Sequence, residues 1–598
     1  MITIKSAGDA ALLFETSQLV HPGHQGGNEA AWIAAAIRAA DVPGVVDVVP
    51  GALTVLVTFR PGIVQPYGTA EGERANTELV RRLLRRHSEA SAMPASLAED
   101  PVVIDTVYDG ADLADVAALT GLTVADVIAL HEAAEYQVGW LGFSPGFGYL
   151  TGLDPRLAVP RLDSPRQSVP AGSVAIAGGL SGVYPAASPG GWRLIGRTAA
   201  VLWDPDRDPP ALFTAGRRVR FRAVARLPAA LPRPDSVSAH RDKTPADSHR
   251  NHERSLARRV EVVRPGPLTT IQDLGRAGLA HLGVPASGAA DAGSLRLANE
   301  LVGNDEDAAC LEVTLGRLEL HVSFDAVVAV AGAPAPVRLI PAVGGERDLA
   351  DPESARGQTG DRDQANHRDP GSDQSRTAGP GPAHETAFAV LAGTVLRLGA
   401  PATGLRSYLA IGGGIEVPPV LGSRSADLLS GLGPPPLRPG DLLPVGRARS
   451  RLVSGEARRP PTAGPAAATQ RPGAQAPTAT VLRVVRGPRD DWFTEDAMIT
   501  LAGEIYRVSA ASNRSGLRLA GPPLLRSRRD ELPSEGVAAG SLQVSHDGQP
   551  ILLLADRPTT GGYPVIGVVV SADLAAAAQL RPGQPVRFRL AGRYATTM

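Results

Sequence analysis

Glycine and proline recur so densely between residues 139 and 198 that no long helix can run through that stretch. It reads GWLGFSPGFGYLTGLDPRLAVPRLDSPRQSVPAGSVAIAGGLSGVYPAASPGGWRLIGRT. Trp140, Phe143, Phe147, Tyr149, Val174, Ile176, Tyr184, Trp192 and Ile195 lie between the turn formers. Aromatic and β-branched residues set among turns predict short strands and tight loops on a packed core. Two readings stay open here. The stretch is a barrel wall with no site, or its glycine loops let backbone amides approach a ligand.

A chain of 598 residues is too long for one core and divides into several domains. Its formal net charge of −1 provides no field to draw in nucleic acid or an anionic membrane, and neither is expected as a partner. Arginine carries almost all the positive charge, since Lys5 and Lys243 are the two lysines. Cys310 is the single cysteine, which excludes an internal disulfide and a cysteine-rich zinc site. The opening residues MITIKSAGDAALLFE show no secretory pattern, and no apolar run is long enough to span a bilayer. The expectation is a cytoplasmic protein; homo-oligomerisation stays open.

Residues 1–90 read as a small α+β domain. Ile2–Phe14 is strand-like around a Gly8-Asp9 turn, Glu29–Ala40 is helical, and Val45–Val49 pairs with Leu53–Phe59. Thr77–His87 reads as a basic amphipathic helix and Ser88–Asp100 as a polar connector. Residues 101–226 read as a barrel with strand Val102–Ile104, helices Asp112–Thr120 and Thr123–Glu135, and closing strands Ala200–Trp203 and Val219–Phe221. Thr123 is the expected N-cap, with Asp126 three residues on. Residues 227–258 and 453–480 are Pro-rich polar linkers. They flank a lobe at 259–452, itself interrupted by a polar insertion at 344–385. A last lobe covers 481–592. The fold class expected is mainly β with α+β parts.

No phosphate-binding GxxxxGK[ST] loop, GxSxG elbow or biotin-attachment lysine is present. His131, late in its helix, reads as either catalytic or structural. Four polar clusters carry the candidate chemistry. The first is Arg161, Arg166, Ser173, Ser188, Arg193 and Arg197, guanidiniums suited to an anion. The second is Gln272, Asp273 and Arg276 with the loop 283–291, where Asp291 caps a helix and Asp273 is the candidate metal or substrate contact. The third is Ser512–Leu519 with Arg514, Glu535 and Gln543. The fourth is Asp556, Arg557, Thr559, Thr560 and Tyr563, where a buried strand opens into a polar loop.

These residues resemble a known family. GFSPGFGYLTGLDPRLAVPR, PRQSVPAGSVAIAG and SPGGWRLIGRT resemble the B subunit of 5-oxoprolinase, also called allophanate hydrolase subunit 1, a family that includes a sporulation-kinase inhibitor. TTIQDLGRAGLAHLGVPASGAAD, RLANELVGN, YLAIGGGIEVPPVLGSRS, SNRSGLRLAGP, ELPSEGV and LLADRPTTGGYPVIGVV resemble the C subunit, or allophanate hydrolase subunit 2. The chain resembles a natural fusion of the two. The resemblance implies cyclophilin-like β-barrels and ATP-dependent opening of 5-oxo-L-proline to L-glutamate, shared with a separate A subunit. It implies ATP and Mg²⁺ as cofactors.

On that basis Arg166, Asp273 and Asp556 are expected to be catalytic, with Asp273 and Asp556 holding metal. Ser173, Arg197, Gln272, Arg276, Arg514, Gln543, Arg557, Thr559, Thr560 and Tyr563 are expected to bind substrate or nucleotide, with the ligand between the two halves. The family also implies two other activities: a biotin-dependent carboxyltransferase acting on urea or a similar amide, with biotin on another chain, and a non-catalytic regulator of a histidine kinase. The chain departs from the family pattern at Gly148, Leu180, Asn513, Ser515 and Ser545.

Overall fold

The computed structural model describes residues 3–16, 29–64, 78–79, 100–162, 164, 166–228, 258–341, 382–448 and 479–591. The helix expected at Thr77–His87 and the polar runs at 88–100, 227–258, 344–385 and 453–480 fall wholly or almost wholly outside those residues. Strands take 37% of the described residues and helices 15%, so the described structure is mainly β, with the barrel-like sheets expected.

The first unit is a four-stranded antiparallel sheet in the order Thr3–Ser6, Ala11–Glu15, Thr54–Phe59, Val45–Pro50. Gly8 and Asp9 make the turn of its first hairpin. Helix Glu29–Ala39 lays Ile33, Ala34 and Ile37 against one face, over Leu12, Phe14 and Val57. The other face is also covered: Ala11, Leu13, Val49 and Leu56 pack with Ala280 and Ala538 from the second half of the chain. Burial on both faces explains why Ala11-Leu12-Leu13-Phe14 is a continuous apolar run rather than an alternating one.

The second unit is a seven-stranded sheet in the order Arg193–Arg197, Ser173–Ala177, Leu180–Val183, Gly148–Thr151, Tyr136–Leu141, Arg218–Ala223, Val102–Thr106. The last two strands pair in parallel. The sheet curls until its ends meet, where Val107 and Arg197 exchange both backbone hydrogen bonds at 2.9 Å. Ala200–Trp203 is not a strand; Trp203 makes a single bridge to Ala211. Pro209 and Pro210 follow closely and supply no amide for a longer ladder.

Helix Val124–Ala133 opens with the expected capping box, Thr123 Oγ1 accepting from the Asp126 amide at 3.1 Å. His131, in the last turn of this helix, is fully buried. It shares hydrogen bonds with the Tyr108 hydroxyl at 2.8 Å and the Ser181 hydroxyl at 2.9 Å, and packs on Phe221. Of its two sequence readings, the structural one fits this setting.

Burial pushes the His131 imidazole down to about 3, so the native state holds it neutral. An unfolded histidine takes a proton near pH 6.5, so stability contributed here is intact above that pH. It falls by about 1.4 kcal/mol per pH unit as pH drops from 6.5 toward 3. Acid melting curves of the protein and of His131→Gln should therefore diverge below pH 6.5, the variant losing stability less steeply. Parallel curves would contradict this account.

The third unit is a sandwich of two five-stranded sheets. One runs Val337–Ile340, Thr394–Leu398, Leu318–Val322, Arg259–Arg264, Leu442–Pro444; the other runs Leu268–Gln272, Cys310–Thr314, Arg406–Ile411, Ala326–Gly332, Ala387–Val390. Val262, Leu311, Val313, Leu320, Leu396 and Leu409 fill the space between them. Helix Ala292–Leu301 covers the outside of the second sheet, capped by Asp291, whose Oδ1 accepts from the Ser294 amide at 3.0 Å. The fourth unit is a closed seven-stranded barrel, in which strand Thr480–Arg486 pairs in parallel with strand Pro585–Leu590. Among the described residues no single helix is long and apolar enough to cross a membrane.

Candidate functional site

The loop that leaves strand Pro550–Leu553 reaches both the second and the third unit of the protein. Its Asp556 is fully buried against the third unit. Arg514 grips it bidentately, Nε to Oδ2 at 2.9 Å and Nη2 to Oδ1 at 3.0 Å. Ser287 donates its hydroxyl at 3.0 Å and Leu428 its amide at 3.1 Å. The other edge of Arg514 donates to Glu312 and to the Gly288 carbonyl at 2.6 Å. Glu312 Oε2 in turn accepts from the Tyr408 hydroxyl at 2.8 Å and the Ala290 amide at 2.9 Å. Arg406 Nε stands 3.4 Å from Glu312 Oε1 as an ion pair. Buried charges persist only when paired and hydrogen-bonded, and these are both. Burial pushes the Glu312 carboxyl up, yet Arg514 and Arg406 outweigh it and hold the group below the usual range.

Next to this cluster lies the loop Gln272–Arg276. Asp273 spends its whole carboxylate on the chain around it. Oδ1 accepts from the Gly275 amide at 2.8 Å, the Ser423 hydroxyl at 2.6 Å and the Ser425 hydroxyl, and Oδ2 accepts from the Arg424 amide at 2.6 Å. Arg276 is 3% exposed and donates to the carbonyls of Ser425 and Val420. Its Nη1 is buried without a partner. Asp427 holds the turn at 427–430 through Leu429, Ser430 and its own carboxylate. Burial first, and then the charge of Asp556, raise the Asp427 carboxyl above its ordinary value.

The far side of the same loop meets the first half of the chain. The Phe143 amide donates to Thr560 Oγ1 at 2.9 Å. Gly146 N donates to the Leu282 carbonyl at 3.0 Å, and Ala52 N to the Ser534 carbonyl at 2.7 Å. The contact is too close for side chains at several points. A Cβ on Gly142 would fall 2.4 Å from Thr560 Oγ1, and one on Gly283 would fall 2.3 Å from the Ser144 carbonyl. Arg489 closes the seam at its edge, donating to Glu15 at 2.6 Å and to Glu535 at 2.7 and 2.9 Å. Asp9 accepts from the Ser571 amide at 3.0 Å and its hydroxyl at 2.9 Å.

The structure brings Gln272, Asp273, Arg276, Arg514, Asp556, Arg557, Thr559 and Thr560 together around this junction. Gln272 Nε2 donates to Thr270 and to the Ala426 carbonyl, both at 3.0 Å, and leaves Oε1 buried without a partner. Thr559 Oγ1 is in the same condition. Arg557 Nε donates to the Val537 carbonyl at 3.2 Å. Gln543 donates to the Tyr563 carbonyl at 3.2 Å and braces the loop. Tyr563 itself packs edge-on against His546.

In the first barrel Arg166 donates to Asp112 at 2.6 Å, with Nη1 buried and unpartnered. Ser173 donates to the Pro170 carbonyl at 2.7 Å within its own turn. Arg197 is an exposed residue paired with Asp109. Neither Ser173 nor Arg197 makes a contact to the junction loop among the described interactions. Asn513, where the family pattern has an acid, uses Oδ1 to accept from the Ser515 amide at 2.9 Å and the Gly516 amide at 3.2 Å. That is the turn an aspartate makes equally well.

Among the described residues no group of three or more His, Cys, Asp or Glu side chains is placed to hold a metal ion. Asp273 and Asp556, the residues expected to do so, are occupied by the donors named above.

Known proteins supply the frame for this geometry. Residues 2–213 match the carboxyltransferase domain, subdomain C and D, and residues 282–350 and 374–590 match subdomain A and B of that domain. The chain is 34% identical over 332 residues to the C subunit of 5-oxoprolinase from Escherichia coli strain K12, covering 55% of this chain and 90% of that one. It is 44% identical over 189 residues to the B subunit of 5-oxoprolinase from Escherichia coli O157:H7, covering 31% and 80%. The chain belongs to the carboxyltransferase-domain family of the 5-oxoprolinase B and C subunits.

Both family halves lie in one polypeptide, the B-type half first. The crystal structure of TTHA0988 matches over 98% of this chain and 100% of that one, with a TM-score of 0.70 and 31% identity. Urea amidolyase of Lachancea kluyveri is 30% identical over 356 residues, which is 55% of this chain and 17% of that protein. In family terms the ion cluster ties the two lobes of the C-type half together, and the Gly142–Ser144 turn is where the B-type half docks on it.

Sequence reasoning missed Glu312, Arg406, Tyr408, Asp427 and Asp112. A signal for two of them was present. Glu312 sits in CLEVT and Arg406 heads RSYLAI, each a charge on an otherwise apolar strand. A charge inside a strand buried on both faces requires a buried partner.

Proposed function

We propose that this chain is the fused B and C component of an ATP-dependent 5-oxoprolinase that opens 5-oxo-L-proline to L-glutamate with a separate A subunit. The observation that carries the reading is the presence, in one chain, of both parts that in Escherichia coli are the B and C subunits of 5-oxoprolinase. The junction supports it chemically. A lactam acid offers a carboxylate, an N–H donor and a carbonyl oxygen. Among the buried polar atoms without a partner are a guanidinium N–H of Arg276, the amide oxygen of Gln272 and the hydroxyl of Thr559, as well as Ser144 Oγ and Arg406 Nε. On this reading Arg276 holds the carboxylate, Gln272 accepts from the lactam N–H and Thr559 orients the carbonyl.

The lactam oxygen attacks the γ-phosphate of ATP, releasing ADP. Water adds at the activated carbon, and the C–N bond breaks as a proton passes to nitrogen. A second water hydrolyses the resulting acyl phosphate to carboxylate and inorganic phosphate. No group of three or more His, Cys, Asp or Glu side chains among the described residues is placed to hold a metal, and no step here runs through one. ATP and Mg²⁺ enter, on this reading, with the A subunit.

The test is glutamate release by the chain mixed with the A subunit, with and without ATP. Release that needs no ATP rules out the phosphorylated intermediate. Arg276→Ala should lower kcat/KM for 5-oxoproline roughly 10- to 150-fold, the loss of one charge-assisted hydrogen bond worth about 1.5–3 kcal/mol. An unchanged kcat/KM removes Arg276 from the site.

The similarity to urea amidolyase favours a second reading, a carboxyltransferase acting on a small amide with biotin carried by another chain. Avidin inhibits turnover on that reading and leaves 5-oxoprolinase activity untouched. A kinase-regulating role predicts loss of a histidine kinase's autophosphorylation with no glutamate made.

A further inference from the structure

A concavity rimmed by arginines lies on the sandwich sheet that contains Leu318–Val322, and none of its lining residues takes part in the junction. It has a volume of about 320 Å³ and is lined by Arg264, Arg317, Arg338 and Arg397, with Glu319 the one acid and Gly399 among its walls. The register explains the crowding. Arg338 stands directly opposite Arg397, Arg397 opposite Glu319, and Glu319 opposite Arg264, so one row of side chains crosses four strands. Glu319 is shared between Arg264 at 3.1 Å and Arg397 at 3.2 Å. Arg338 faces a like charge across the ladder, an arrangement that costs stability in a solvated sheet. Four guanidiniums against one carboxylate leave three positive charges in excess.

The backbone adds an independent observation. Leu315, Gly316 and Arg317 have φ of 58°, 65° and 62°, three consecutive residues in the left-handed region. For leucine and arginine that conformation is unfavourable, and such strain concentrates at functional sites. Here it sets Arg317 at the wall of the cavity, where glycine would have relieved the turn and lost the charge.

We propose that this cavity is a binding site for a small polyvalent anion, bearing phosphate or carboxylate groups with two or more charges, held by Arg317, Arg338 and Arg397. The planar forks of arginine suit both kinds of group. The volume is that of a site for a small molecule.

Titration calorimetry on the full chain, with inorganic pyrophosphate and with citrate at low ionic strength, tests it. Saturable binding of pyrophosphate alone identifies phosphate as the recognised group. Citrate alone identifies carboxylate, and both together identify charge. The variant Arg317→Gly, Arg338→Ser should weaken that binding at least tenfold. Arg317→Gly by itself should raise the melting temperature, because glycine accepts the left-handed turn. Neither anion binding, or binding of equal strength by the double variant, overturns the proposal. A double variant that melts well below the protein also overturns it, since the two arginines would then be holding the fold.

Discussion

Arg514→Met should destabilise the protein by about 3–5 kcal/mol, the cost of leaving buried charges without their partner. Arg514 is 1% exposed and donates to Asp556, to Glu312 and to the Gly288 carbonyl. Burial alone would lower its basicity, but Glu312 and Asp556 more than reverse that. Methionine fills much of the same space and removes the charge, so Glu312 keeps Arg406 at ion-pair distance while Asp556 keeps only neutral donors. Arg514→Lys should fall between the two, since an ammonium restores the charge but not the fork. Urea unfolding of the three proteins measures the series. A loss below about 1 kcal/mol for Arg514→Met would show that the lobes are held by something other than this cluster.

On the proposed function, Gly142→Ala should cut 5-oxoproline turnover by roughly a hundredfold, the penalty for displacing a site by about 1 Å. The added methyl falls 2.4 Å from Thr560 Oγ1 and 2.6 Å from its Cγ2. Thr560 cannot turn aside cheaply. Its hydroxyl accepts the Phe143 amide, and its backbone pairs with Gly536. The displacement therefore passes into the loop that carries Asp556 and Thr559. Gly283→Ala strikes the same seam from the other side, against the Ser144 carbonyl, with φ of 76° adding strain. Both variants should lose turnover by similar factors in the glutamate assay. If both retain full turnover, the docking of the halves does not position the site.

Local signals in the sequence were legible because local physics wrote them. The capping box at Thr123 and Asp126, the cap at Asp291 and the hairpin at Gly8-Asp9 each depend on residues a few positions apart. A buried strand ending in polar residues marked Asp556–Tyr563 as a loop, and that loop makes contacts to both the second and the third unit. The ion cluster was out of reach for the opposite reason. Arg514 and Glu312 are 202 residues apart, and no periodicity or propensity encodes that pairing. Arg197 and Asp109, 88 residues apart, form a pairing equally invisible in the sequence. An arginine in a glycine-rich motif invites a ligand, yet here it closes a barrel and faces solvent. Asp273 looked free because its four partners come from Gly275 and from a serine-rich turn some 150 residues away.

The covered outer face of the N-terminal sheet has a consequence for how the protein is made. Ala11, Leu13, Val49 and Leu56 leave the ribosome early, but Ala538 and the Ser571 that binds Asp9 come roughly 500 residues later. At about 5–20 residues per second, the cover of that face is completed only about 25–100 seconds after the face is made, with Ala280 arriving part-way. The barrel that covers it cannot close before its final strand, Pro585–Leu590, is available to pair with Thr480–Arg486. Joining the halves in one polypeptide assures the early sheet of its cover, at the cost of a long wait in which a chaperone has a defined apolar surface to hold.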